Sequence, residues 1–170
     1  RTSVTQAINT VSATVTNNTV SDSANSGILV IGNLQDLGSG DIGGNHVTAV
    51  IDANTVKRSK QGINTDVIAG DGIQIVGGTG DGSNSVVTAT VSNNAVLQNR
   101  DDGIVAVGCG LEDAGSNNTV SVTIVNNTVK QSGLNADLTT NTGIVVTGAS
   151  GEEFTSTTCV GNIMRFDISN

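Results

Sequence analysis

Residues 87–110 read VTATVSNNAVLQNRDDGIVAVGCG, and three other segments repeat their punctuation. With one Asn set in register, the copies are VSATVTNNTV at 11–20, VTAVIDANTV at 47–56, VTATVSNNAV at 87–96 and VSVTIVNNTV at 120–129. A fifth, degraded copy is read as TSTTCVGNIM at 155–164, which makes Asn18, Asn54, Asn94, Asn127 and Asn162 the register residues. Intervals of 33 to 40 residues, each holding short strand patterns and Gly-rich loops, are the signature of a stacked solenoid.

Within each copy the alternation has a period of two, the period of a strand with one buried face. Val11, Ala13 and Val15 form the inward set of the first, followed by Val47, Ala49, Ile51, then Val87, Ala89, Val91, then Val120, Val122, Ile124. The opposite set is polar and faces out: Ser12 and Thr14, Thr48 and Val50, Thr88 and Thr90, Ser121 and Thr123, Ser156 and Thr158. A second Asn stands ahead of the strand at Asn9, Asn45 and Asn118, with Asn84 displaced by one. Asn suits corners, where the backbone visits left-handed conformations.

After each register Asn an apolar residue, Val20, Val56, Val96, Val129 or Met164, opens a second inward strand. A Gly-Ile strand follows as GILVIG from Gly27, GIQIVG from Gly72, GIVAVG from Gly103 and GIVVTG from Gly143. The connection into it alternates between short and long, so KRSKQGINTDVIAGD and KQSGLNADLTTNT project from the second and fourth copies. Both faces of the Gly-Ile strand are apolar. Ile28, Val30, Ile73, Ile75, Ile104 and Val146 are expected inside, leaving Leu29, Ile31, Val76, Val105, Val107 and Val145 outside. Two-sided burial is usual for parallel sheets, so the long loops, through Val67, Ile68, Leu134 and Leu138, are expected to cover that outer stripe.

Strands that recur in one direction stack as parallel sheets about 4.8 Å apart, and equivalent residues then form ladders. The expected fold is all-β: a right-handed parallel β-helix of four to five coils with an Asn ladder and alternating long loops. Residues 1–170 are read as one domain, a segment of a longer repeat protein whose neighbouring coils cover its ends. The absence of Pro, 22 Gly and 1% aromatic residues agree with many short strands and turns.

A net charge of −8 opposes binding to nucleic-acid backbones and anionic membranes, and no apolar run is long enough to span a bilayer. An extracellular or cell-surface location is expected. The two cysteines are too few for a disulfide framework; with Cys159 in the place of Ile124 and Cys109 after a Gly-Ile strand, two free thiols are expected.

The NNTV sequences at 17–20 and 126–129, followed by Gly-Ile-x-Val-x-Gly, resemble the right-handed parallel β-helix repeats of pectin-lyase-like proteins, especially those in large secreted or surface-anchored bacterial repeat proteins. That resemblance implies fold. It leaves function open among polysaccharide lyases, hydrolases, epimerases, phage tailspikes and non-catalytic adhesins or stalks.

Carbohydrate hydrolysis needs two carboxylates on one groove. Asn64-Thr65-Asp66 and Asp101-Asp102-Gly103 resemble fragments of the polygalacturonase signature, which makes Asp66, Asp101 and Asp102 the candidate catalytic acids. The single His46 lacks the Gly-His-Gly setting, and there is no Trp or Tyr to stack on a sugar. Lyase chemistry would recruit Lys57, Lys130 or Arg165, each three positions after its register Asn.

No cofactor is expected; stacked acids at Glu112, Asp113, Glu152 and Glu153 leave calcium as the single alternative, since like charges a rung apart repel unless water separates them or a cation bridges them. The Ser/Thr-x-Thr columns also resemble the ice-binding face of β-helical antifreeze proteins. Asn17, Asn117 and Asn126 spell glycosylation sequons, but as a by-product of the corner motif. The preferred reading is a non-enzymatic scaffold or adhesin-like segment that meets a polysaccharide or a cell-surface ligand. The alternatives are a polysaccharide-active enzyme fragment and an ice-binding face.

Overall fold

A computed structural model describes residues 8–33, 44–59, 70–78, 84–109, 117–132, 143–148 and 161–169. Thirteen strands and no helix occur among them. Three lengths of strand repeat in a fixed order. The long ones are β1 (Thr10–Thr16), β4 (His46–Asp52), β7 (Val86–Ser92), β10 (Thr119–Val125) and β13 (Ile163–Ser169). Three-residue strands follow the first four: β2 (Thr19–Ser21), β5 (Thr55–Lys57), β8 (Ala95–Leu97) and β11 (Thr128–Lys130). The Gly-Ile strands are β3 (Ile28–Ile31), β6 (Ile73–Val76), β9 (Ile104–Val107) and β12 (Ile144–Thr147).

Each set forms its own parallel sheet, ordered β1-β4-β7-β10-β13, β2-β5-β8-β11 and β3-β6-β9-β12. This stacking of like on like is that of a β-solenoid. The register follows the repeat: Val47 lies beside Val11 and Val87, and Ile73 beside Ile28 and Ile104.

Inward residues of all three sheets meet in one core. Ala49, Ile51, Val56, Ile73, Ile75, Val87, Val91, Val96, Ile104, Val120 and Ile124 are buried there. Each Val or Ile so enclosed contributes about 1.5–3 kcal/mol. The outward residues Val76, Val105 and Val107 of the Gly-Ile strands are buried as well, within the single chain, with Ile31 and Val145 packed on them. Leu29 stays exposed. The loop residues expected over this stripe, Val67, Ile68, Leu134 and Leu138, lie outside the described residues.

The corners are tight for two reasons. Among the described residues ten non-glycine residues carry positive φ, and they fall in rows: Asn17, Ala53, Asn93 and Asn126 before the short strands, and Asp22, Arg58, Gln98 and Gln131 after them. Asn84 and Asn117 precede the long strands in the same conformation. Asn tolerates it best, which accounts for the sequon spelling at Asn17, Asn117 and Asn126. Glycine is required at Gly72 for a different reason, because an added Cβ would lie 2.6 Å from the Gly103 carbonyl oxygen.

Asn side chains fasten the first row of corners. Asn54 and Asn94 are buried, and each accepts at Oδ1 from the backbone N–H of the preceding Asn, Asn18 to Asn54 and Asn54 to Asn94, over 2.9 Å. Asn94 donates to Asn127 in the same way over 2.9 Å. Their Nδ2 groups donate back to strand carbonyls, Asn54 to Val15, Asn94 to Ile51 and Asn127 to Val91. Each buried amide is thereby supplied with partners that a corner would otherwise deny it.

The structure corrects the reading of the last copy. Asn162 does not continue the row of Asn18, Asn54, Asn94 and Asn127; its Oδ1 accepts from the Asn118 N–H over 2.8 Å. Strand β13 therefore pairs with β10, placing Met164, Phe166 and Ile168 beside Val120, Val122 and Ile124. The physical reason is that both corner types carry Asn ahead of an alternating strand, so the Asn does not tell them apart, and IMRFDIS pairs with β10 along all seven residues. Met164 is thus no counterpart of Val129, and the place beside Ile124 belongs to Ile168 rather than Cys159. Cys109 is buried and disulfide-bonded, which overturns the expectation of two free thiols; that expectation rested on the mistaken column for Cys159.

Candidate functional site

Among the described residues two features carry chemistry. The first is the outward face of the five-stranded sheet. Its register sets Ser12, Thr48, Thr88 and Ser121 in one row and Thr14, Val50, Thr90 and Thr123 in the next. Ser12, Thr14, Thr48, Thr88 and Thr123 are exposed, while Thr90 and Ser121 are half-buried. Neighbouring rungs repeat about every 4.8 Å, and outward residues on one strand about every 6.7 Å, so hydroxyls and methyls form a regular grid.

The fifth member of each row differs from expectation. Arg165 stands beside Ser121 and Asp167 beside Thr123, because β13 supplies that rung. Ser156 and Thr158, read as the fifth pair, lie outside the described residues, as does Asp66. Arg165 is thereby separated from Lys57 and Lys130, which flank Leu97 in the short-strand sheet. The three candidate lyase bases do not converge.

At the rim of the same face Asp52 sits beside Ser92. The Ser92 hydroxyl donates to Asp52 Oδ1 over 2.6 Å and Asn93 Nδ2 donates to it over 2.8 Å. Those two bonds, Ser92 first, hold the Asp52 carboxyl below its ordinary pKa. On the corner behind, Arg58 grips Asp22 with Nε at 2.8 Å from Oδ1 and Nη2 at 2.7 Å from Oδ2. Hydrogen bonding to Asp22 raises the Arg58 guanidinium above its ordinary value.

The second feature is a group of three carboxylates, Asp71, Asp101 and Asp102, whose oxygens lie within 4.8 Å of one another. The turn ahead of β6 is laid on the turn ahead of β9. Asp101 N–H donates to the Gly70 carbonyl over 3.2 Å and Gly72 N–H to the Asp102 carbonyl over 3.0 Å. Gly70 takes φ of 108°, open to glycine, to make that approach. The Asp102 N–H donates to Asp71 Oδ1 over 3.1 Å, and Asp71 is buried.

Sequence reasoning singled out Asp101 and Asp102 but missed Asp71. The signal was available, since Asp71-Gly72-Ile73 and Asp102-Gly103-Ile104 are the same three residues, and Ile73 pairs with Ile104. Three carboxylates this close can share protons or take a hard cation through oxygen ligands. The calcium candidates Glu112, Asp113, Glu152 and Glu153 lie outside the described residues. Compared with known protein families, with curated proteins and with solved structures, the chain matches none.

Proposed function

We propose that this chain is a non-enzymatic scaffold of a secreted or cell-surface protein, a right-handed parallel β-helix of four to five coils with an Asn ladder, similar to the pectin-lyase-like repeats. Right-handedness is the rule for crossovers between parallel strands. The function is adhesive: the grid of Ser12, Thr14, Thr48, Thr88, Thr90, Ser121 and Thr123 meets a regular, hydroxyl-rich polymer such as a polysaccharide.

One observation carries this reading. Short hydroxylated side chains occupy four successive rungs of one row, Ser12, Thr48, Thr88 and Ser121, and three of the four in the next, and five of the seven are exposed. Such a surface offers repeated donors and acceptors at fixed spacing without a concave pocket, which suits a repeating ligand rather than a small molecule. The test is retention of the chain on a panel of immobilised neutral and acidic polysaccharides, with Thr48→Glu and Thr88→Glu as face variants. Retention lost in the variants, with no release of reducing ends, is the expected result. Absence of retention on every polymer removes the adhesive role.

A second reading, a fragment of a polysaccharide-active enzyme, is favoured by the convergence of Asp71 with Asp101 and Asp102. In it one acid protonates the leaving oxygen while another acts as base or nucleophile. Release of reducing ends or unsaturated uronates, abolished by Asp101→Asn or Asp102→Asn, establishes that reading in place of the first. An ice-binding face has less support, because Val50, Arg165 and Asp167 interrupt the Thr rows; absence of thermal hysteresis excludes it.

A further inference from the structure

On the outward face of the long sheet, the two central rows carry no charge over four successive rungs. One runs from Ser12 to Ser121 and the other from Thr14 to Thr123, and every member is Ser, Thr or Val. The row at the rim brings in a single charge, and it is negative, that of Asp52. The described cations of these rungs lie elsewhere: Lys57 and Lys130 are in the short-strand sheet, Arg58 grips Asp22, and Arg100 stands between β8 and β9. Arg165, beside Ser121 on the fifth rung, has the opposite charge of Asp167 two residues on, along the same face.

This distribution bears on the charge of a ligand. A carboxylated or sulfated polymer finds no cation in the four rungs to pair with, and it approaches a chain of net charge −8. Repulsion then adds to the loss of hydration around each anionic group. An uncharged polymer meets neither penalty.

The same rows bear on the physical form of the ligand. Phe166, the one aromatic residue among those described, stands beside Val122 in the inward set, so no described ring on this face stacks on a sugar. Binding is left to hydroxyls and methyls. Each hydroxyl exchanges a bond to water for a bond to the ligand, and the net gain per bond is small, so retention needs many contacts at once. A dissolved chain also loses conformational freedom when it is laid along a surface, whereas chains packed into a solid have lost it beforehand. Because every side chain in the two rows is short, none of them holds an extended solid away from successive rungs.

We propose, resting on the adhesive reading of this face, that its ligand is an uncharged polysaccharide in packed, insoluble form. The face engages several chains of the solid together and discriminates against acidic polymers and free oligosaccharides.

The test is co-sedimentation of the 170-residue chain with microcrystalline cellulose and with chitin particles, beside polygalacturonate-coated beads. Each is run with and without an excess of dissolved cellohexaose or chitohexaose. Retention on cellulose or chitin, unchanged by the hexasaccharides and constant within about twofold from low to high salt, is the expected result. Thr48→Arg and Thr88→Arg each raise a long cation in the grid and are expected to lower that retention by about tenfold or more, since contacts on neighbouring rungs no longer form together. Circular dichroism establishes that both variants are folded. A Lys57→Gln, Lys130→Gln double variant, altered off this face, is expected to be retained as the parent is. Retention on polygalacturonate equal to or above that on the particles, or displacement by a hexasaccharide, overturns the proposal and leaves the adhesive role standing. Arg variants retained like the parent overturn it too, by placing adhesion on another surface. Retention on none of the three polymers removes the adhesive role itself, and the proposal with it.

Discussion

Asn118 donates its backbone N–H to Oδ1 of Asn162 over 2.8 Å, a bond that goes with the pairing of the last strand to the long sheet. It lines Asn162 up with the corner that precedes the long strands, leaving Asn127 as the last described member of the other Asn row. The two sites therefore carry different loads. Asn94 is buried, accepts from Asn54, and donates to both Asn127 and the Ile51 carbonyl. Asn94→Ala leaves several buried groups without partners and is expected to cost about 2–4 kcal/mol. Asn162 is half-buried on the outermost rung, and Asn162→Ala is expected to cost about 1 kcal/mol. Urea midpoints of the two variants check the order; equal losses would contradict it.

Ala53 is the one residue of the left-handed corner row that is not Asn, with φ of 53° where Asn17, Asn93 and Asn126 take 58°, 55° and 54°. Its Cβ crowds the following carbonyl in that conformation, a strain of about 1–2 kcal/mol. Ala53 is exposed, so a larger polar side chain meets no packing there. Ala53→Asn is expected to raise stability by about 0.5–1 kcal/mol, and Ala53→Val to lower it by more than that. Thermal melts of both variants provide the check.

Much of the fold was legible because each inward position of the long strands is small or branched and most outward ones are polar; β1, β4, β7 and β10 follow directly from that alternation. The last rung was not legible, because Met164, Phe166 and Ile168 satisfy the alternation equally well as a short or a long strand, and only spatial pairing decides between them. The corner residues Arg58, Gln98 and Gln131 hide for another reason, since nothing in their chemistry announces positive φ. Asp71 was overlooked because loops of unequal length separate it from Asp102 in the sequence, while the sheet register brings them together. The outward face was legible up to its fourth rung, and Arg165 and Asp167 came to light only with β13 in place.

The Asp52 carboxyl supplies a pH dependence of known sign. Its bonds from Ser92 and Asn93 depress its pKa in the folded chain. A depressed carboxylate contributes stability that is present above its unfolded pKa and is lost as pH falls through the folded one. Asp52→Asn is therefore expected to lower the melting temperature near neutral pH and to leave it closer to the parent's in strong acid. Melts from pH 7 down to pH 2 test this; a gap that widens on acidification would reverse the assignment.

Ser85 stands where the corner row otherwise has Asn9, Asn45, Asn118 and Asn162, and the consequence is a defect in the bonding pattern. The Ser85 N–H donates to Asn118 Oδ1 over 2.9 Å, continuing the row in one direction. In the other direction its hydroxyl is too short to act as the missing amide, and Ser85 Oγ is buried with no hydrogen-bond partner. Room for Asn exists, because Gly32 packs on Ser85 as Gly77 packs on Asn118 and Gly108 on Asn162; a Cβ added to each glycine would lie 3.0, 2.9 and 2.9 Å from the respective Cβ atoms. Ser85→Asn removes one orphaned hydroxyl and gives the Asn45 backbone N–H an acceptor of the kind Asn9 and Ser85 already have. The expected gain is about 1–2 kcal/mol, read as a higher urea midpoint at unchanged slope. Ser85→Ala, which removes the orphan without adding the acceptor, is expected to fall between the parent and Ser85→Asn; an Asn variant no more stable than the Ala variant would show that the row gains nothing from being completed.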